Sequence, residues 1–200
     1  VFEEKRPFFI EGRDRLDADG PTYFYTRRIG GPPHGEPDGD FTDAPTASTI
    51  LGAAKLTGRL ASGLSIGALG AVTSREHART FDVASEEHSR VLIEPTTGFG
   101  VLRLQQQFGE DESTIGFILT GTGRDLPTDD LLRSQLHRSA VTGGSDLNLR
   151  FNGGAYELTG VLGFSHVRGD AEALALTQQT STHYYQRPDA DHVDFDTTRT

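Results

Sequence analysis

Six basic residues stand at a recurring place in this sequence. Lys55, Arg59, Arg75, Arg103, Arg124 and Arg150 each lie among polar neighbours in stretches where every second residue is apolar. A row of such cations on one side of a sheet can favour anionic solutes passing a lumen. It can equally pair with nearby carboxylates, the commoner fate of one-sided charge. Two aromatic clusters, Tyr23-Phe24-Tyr25 and Tyr184-Tyr185, are candidates for stacking on sugar rings, although packing is the commoner role of such residues. Asp189, Asp191, Asp194 and Asp196 put four carboxylates within eight residues, an oxygen set that suits calcium. That run lacks the glycine and distal glutamate of an EF-hand loop, and its spacing also suits a solvated strand edge.

Other chemistries are poorly represented. With no cysteine in 200 residues, disulfides, thiolate zinc sites and cysteine nucleophiles are excluded. Seven histidines are present, but no H-E-x-x-H pair, nucleophile elbow or phosphate-binding loop accompanies them. Glu86-Glu87-His88 reads as a solvated charge run. The net charge of −10 argues against a general nucleic-acid binder. No catalytic residue and no cofactor other than calcium is expected.

Any positioning of the basic residues depends on strands. Ile50, Gly52, Ala54, Leu56, Gly58 and Leu60 share one parity, and Lys55, Thr57 and Arg59 the other. A period of two marks a strand with one apolar face. The same pattern recurs five times, giving expected strands over about 49–60, 64–75, 98–108, 114–124, 142–151 and 155–167, with a further one starting from 181. Leu69, Val101, Ile118 and Val161 on the polar parity, and Gln106 on the apolar one, interrupt the alternation. Spans of about 10–13 residues exceed the ~5–6 of ordinary globular strands and match the ~9–11 of a tilted membrane strand.

The connections alternate between short and long, as in an outer-membrane barrel with tight periplasmic turns and long outer loops. Phe108, Phe151 and Tyr156 flank the short turns, where an interfacial aromatic girdle would lie. Only 34% of the residues are apolar and 24 are glycine, a poor composition for a globular core but an adequate one for a wall apolar on one side. Residues 1–48 hold six of the nine prolines and read as an irregular Pro/Gly/aromatic-rich segment leading into the barrel, with one short strand near Tyr23–Thr26. Asp170–Gln179 fits a short helix. The expected fold is therefore all-β: an antiparallel up-and-down meander of long strands over 49–200, part of an outer-membrane β-barrel. Val1 in first place and the absence of methionine suit a piece of a longer chain, so the lack of a leader says nothing about export. A soluble all-β sandwich is the alternative architecture, and would require shorter strands.

Several segments together resemble one family. They are Lys5-Arg6-Pro7-Phe8-Phe9-Ile10-Glu11-Gly12, Phe24-Tyr25-Thr26-Arg27-Arg28-Ile29-Gly30, Ile50 through Arg59 (ILGAAKLTGR) and Tyr184-Tyr185-Gln186-Arg187-Pro188-Asp189. In this order they are similar to the C-terminal β-barrel region of bacterial proteins grouped as domain of unknown function 5916. Ile10 and Thr26 are minor departures. The resemblance implies a barrel in the style of porins and TonB-dependent receptors, and full-length relatives that often carry a module similar to family 9 carbohydrate-binding domains. It supplies no catalytic residues.

Two functions are expected from these readings. In the first the chain is a fragment of a bacterial outer-membrane β-barrel protein with a structural or transport role. Its partners are outer-membrane lipid and a carbohydrate or small anionic solute, and not nucleic acid. In the second the parent is a surface glycan-binding or glycan-processing protein, with glycan-hydrolase activity if it is an enzyme, and the barrel serves as anchor or passage.

Overall fold

The computed structural model describes residues 4–128, 131–187, 189 and 193–199. Nine strands and three short helices follow in chain order: α1 (Pro7–Ile10), β1 (Phe41–Asp43), β2 (Ile50–Arg59), β3 (Leu64–Thr73), β4 (Glu76–Asp82), β5 (Glu87–Glu94), β6 (Thr96–Phe108), β7 (Ser113–Asp125), α2 (Leu132–Gln135), β8 (Ser139–Phe151), β9 (Tyr156–Arg168) and α3 (Ala171–Gln179). The architecture is all-β and antiparallel. Six long strands form one sheet in the order β2-β3-β6-β7-β8-β9, and β1-β4-β5 form a smaller one. The six expected strands are all present, with ends within three residues of those read from parity. The large sheet does not close on itself: among the described residues β2 pairs only with β3, and β9 only with β8.

Register sorts the side chains into faces. One row runs Leu56, Ala68, Leu102, Leu119, Gly143, Phe164 across all six strands. This face is open to its surroundings: Leu56 is 65% exposed, Leu162 76% and Phe164 52%. No second sheet covers it among the described residues, so the sandwich alternative lacks its partner layer. The next row, one residue along, runs Thr57, Gly67, Arg103, Ile118, Gly144, Gly163 on the opposite face. There Arg103 and Ile118 are buried. The polar parity is thus the inner one.

Residues 4–30 lie over the middle of that inner face. Phe9, Leu16 and Ile29 form one buried cluster with Leu69, Ala71 and Val101 of the sheet, and Phe24, Ile50 and Phe99 pack against it. Leu69 and Val101, together with the buried Ile118, are therefore the apolar residues that broke the alternation because they face this segment. Val161, the fourth such residue, lies against Gly20. Small residues mark where the segment lands. A side chain at Gly67 would collide with the Arg15 carbonyl, and one at Gly144 with the Tyr23 ring. A buried carboxylate organises the segment itself. Glu4 accepts from Arg6 Nε at 2.9 Å, Arg6 Nη2 at 2.7 Å and Thr26 Oγ1 at 2.8 Å, while Arg6 Nη1 donates to the Ile29 carbonyl at 2.7 Å.

Three expectations are corrected. The short strand near Tyr23–Thr26 is instead an extended approach to a 3-10 turn at Thr26–Arg28, because Arg6 draws the Thr26 and Ile29 carbonyls inward. The long loop after β3 is itself a hairpin. β3 continues into β4 across Ser74-Arg75, and β5 returns into β6 across Pro95, so Arg75 sits beyond the end of β3 rather than within it. No strand begins at Ser181: residues 181–187 are turns, with backbone bonds from His183 and Tyr184 to the Thr180 carbonyl. The helix expected over Asp170–Gln179 is α3, which packs on α2; Arg133, next to Leu132 on α2, holds Asp170 at 2.9 Å.

Candidate functional site

The six basic residues meet different fates. Arg103 reaches across β7 to Asp146 on β8 with two bonds, Nη1 to Oδ2 at 2.6 Å and Nη2 to Oδ1 at 2.7 Å, both partners buried. The pair passes over Gly116, where any Cβ would strike it. Lys55 donates to the carbonyls of Phe8, at 2.5 Å, and Glu11, clamping α1 to the edge strand β2. Arg59 donates to Gln107 Oε1. Arg75 pairs with Asp125 at 2.5 Å and Arg150 with Glu157 at 3.4 Å, both in the open. Surface pairs of this kind contribute about 0–1 kcal/mol.

Arg124 differs. Near the end of β7, it donates from Nη1 to the His137 carbonyl at 3.0 Å, while its buried Nε has no hydrogen-bond partner. It lines a cavity of about 660 Å³ between the N-terminal segment and the sheet, with Tyr25, Arg28, His34, Glu94 and Thr122 around it. A smaller space of about 270 Å³ adjoins it, sharing Tyr25, Arg28 and Thr122 and reaching Tyr23 and Phe24. Within the larger cavity Glu94 is buried and accepts from the His34 backbone N–H at 3.0 Å, with His34 Nδ1 at 2.6 Å. Arg27 is also in the lining. The cavity thus holds three arginines against one carboxylate.

The aromatic candidates separate. Tyr23 and Phe24 pack beneath the segment, and the buried Tyr23 hydroxyl has no hydrogen-bond partner. Tyr25 faces the cavity. Tyr184 and Tyr185 lie on the turn after α3 and line neither space, Tyr184 being exposed and Tyr185 stacked near His183 and Arg199. The aspartates do not converge either. Asp189 leans toward Arg187 at 3.7 Å, and Asp194 is exposed. Asp196 accepts from the Thr198 N–H at 2.8 Å and hydroxyl at 2.7 Å, bonds that hold its carboxyl below the usual range. Asp191 lies outside the described residues. Among the described residues no three His, Asp or Glu side chains gather as a metal site.

Sequence reasoning missed Arg27, Arg28, His34 and Glu94. The motif Phe24 to Gly30 was visible, but its partners on β5 and β7 come from far along the chain. His137, behind Arg124, is held below its ordinary value by burial, then by the charges of Arg124 and His183.

An antiparallel sheet whose polar face carries its own N-terminal segment, leaving the apolar face bare, defines the kind of protein this is. Residues 1–189 match the family described as domain of unknown function (DUF5916), and the chain belongs to that family. No curated protein and no solved structure matches it.

Proposed function

We propose that the chain forms part of an outer-membrane β-barrel, with a structural or transport role, in which the N-terminal segment lies on the lumen side. The observation that carries this reading is the inverted burial of the sheet: exposed apolar residues stand on one face of all six strands, while the polar face is buried over the middle of β3, β6, β7 and β8. In water, that much exposed apolar surface is an association hazard. Facing lipid it is stabilising, at roughly 25 cal/mol per Å² of apolar area removed from water. Strands of 13 residues at β6, β7, β8 and β9 exceed the ~9–11 residues that a tilted strand needs to cross. Exposed Phe108, Phe151 and Tyr156 sit together at the short-turn end, where an aromatic belt would meet the interface. No helix among the described residues is long and apolar enough to cross a membrane, a criterion silent about strands.

The test is lipid contact. Single spin labels at Leu158, Leu162 and Ile118 are introduced into full-length protein reconstituted in bilayers. High oxygen accessibility is expected at the first two and low accessibility at Ile118. A parent protein recovered as a compact monomer without detergent would overturn the reading.

A further inference from the structure

The cavity beside Arg124 is the place where the basic character of the inner face is least neutralised. Arg28 has no side-chain partner among the described residues, and it lies close enough to Arg124 for the two cations to repel. The attraction of Glu94 on Arg124 outweighs that repulsion, but this one carboxylate is also engaged by His34 and faces three arginines in the cavity lining. Arg124 keeps a buried N–H unused, in a place where an unmade bond is costly. A guanidinium fork matches the geometry of a carboxylate, sulfate or phosphate. Thr122 adds a hydroxyl and Tyr25 an aromatic ring, the combination that suits an acid group carried on a compact polar body. About 660 Å³ is room for one small ligand.

We propose that this cavity binds a compact oxyanion, free or borne on a single sugar residue, held by Arg28 from the N-terminal segment and Arg124 from β7. Because the two arginines come from different parts of the chain, an occupied site fastens the segment to the sheet. The proposal does not rest on the membrane reading: the cavity lies on the covered face, and its ligand chemistry is the same whichever medium surrounds the other face.

Calorimetric titration of the full chain in detergent micelles at low salt tests it, with inorganic phosphate, glucuronate and neutral glucose as probes. Saturable binding of at least one anion and none of glucose is expected. Glucuronate binding tighter than phosphate identifies a sugar-borne acid; the reverse order identifies a free anion. Arg28→Gln and Arg124→Gln should each weaken the anion at least tenfold, with Arg59→Gln unchanged. Should Arg124→Gln fail to fold, exposed Arg28 still decides. Absence of saturable binding to both anions, glucose binding as well as glucuronate, or wild-type affinity in Arg28→Gln would overturn the proposal.

Discussion

The two faces of the large sheet obey opposite rules. On the outer face large apolar residues stand bare and several glycines have empty space above them: a Cβ at Gly52, Gly100 or Gly123 would meet nothing within 4 Å, whereas Gly143 lies under the Phe164 ring. On the inner face polar and even charged groups are buried, and glycines are small because something passes close over them. The contrast teaches that the same residue type answers different demands on the two sides. Gly116 makes way for an ion pair, Gly67 for a backbone carbonyl, and Gly100 for nothing in the chain itself.

The largest expected effect comes from the inner pair. Asp146→Ala leaves Arg103 buried without its partner, which should cost about 3–5 kcal/mol. Heat-modified gel mobility or urea unfolding in detergent measures it, and the double change Arg103→Leu with Asp146→Leu should recover much of the loss. Next is the outer face. Leu162→Arg should destabilise bilayer-embedded protein by about 2–4 kcal/mol and leave anion binding at the inner face, measured in micelles, untouched. If the substitution improves solubility at no cost in bilayers, the outer face is not a lipid face.

The third expectation concerns Glu4. Hydrogen bonds from Arg6, foremost, hold its carboxyl well below its ordinary 4.5, against the opposing effect of burial. A lowered carboxylate contributes stability that is complete above its unfolded value and is lost as pH falls through the folded one. Docking of the segment should therefore be unchanged from pH 7 to pH 5 and weaken only in stronger acid. Phe24→Trp, the sole tryptophan in the chain, reports it by fluorescence. Glu4→Gln should weaken docking at neutral pH by about 1.5–3 kcal/mol, as for other hydrogen bonds to charged groups.

Smaller effects separate the glycines. Gly67→Leu should cost about 1–3 kcal/mol by overpacking against Arg15, visible as proteolytic release of the N-terminal segment. Gly100→Ala on the outer face should stay within about 0.5 kcal/mol of the parent in the same assay. Equal costs at both positions would erase the distinction between the faces.

Strands were legible in the sequence to the extent that one face was uniform. Leu56, Leu102, Phe117 and Leu162 all face one way, so parity located six strands without knowledge of their partners. The interruptions were informative too. Leu69, Val101 and Ile118 are apolar on a polar face because a second layer covers them, a cause that lies more than thirty residues upstream. The hairpin of β4 and β5 was hidden because it has little apolar face to alternate: Arg79, Glu87 and Ser89 point into the open, as do their neighbours at the turn. The cavity was the least legible part. His34 and Glu94 meet across 60 residues, and no local period announces a contact made only by tertiary packing. Of the six basic residues, Arg124 was visible as one of a row, but not as the one left with an unused donor.

The N-terminal segment also constrains the order of assembly. It precedes every strand of the large sheet in the sequence, yet its landing site is a row contributed by β3, β6, β7 and β8. Tyr23 meets Thr120 from 97 residues away, whereas the turns joining β2 to β3 and β8 to β9 close within a few residues. Local hairpins form quickly, and contacts of long sequence separation come late. The segment therefore has nothing to dock on until four strands have paired, and a stretch that lies upstream of the whole sheet is the last to settle.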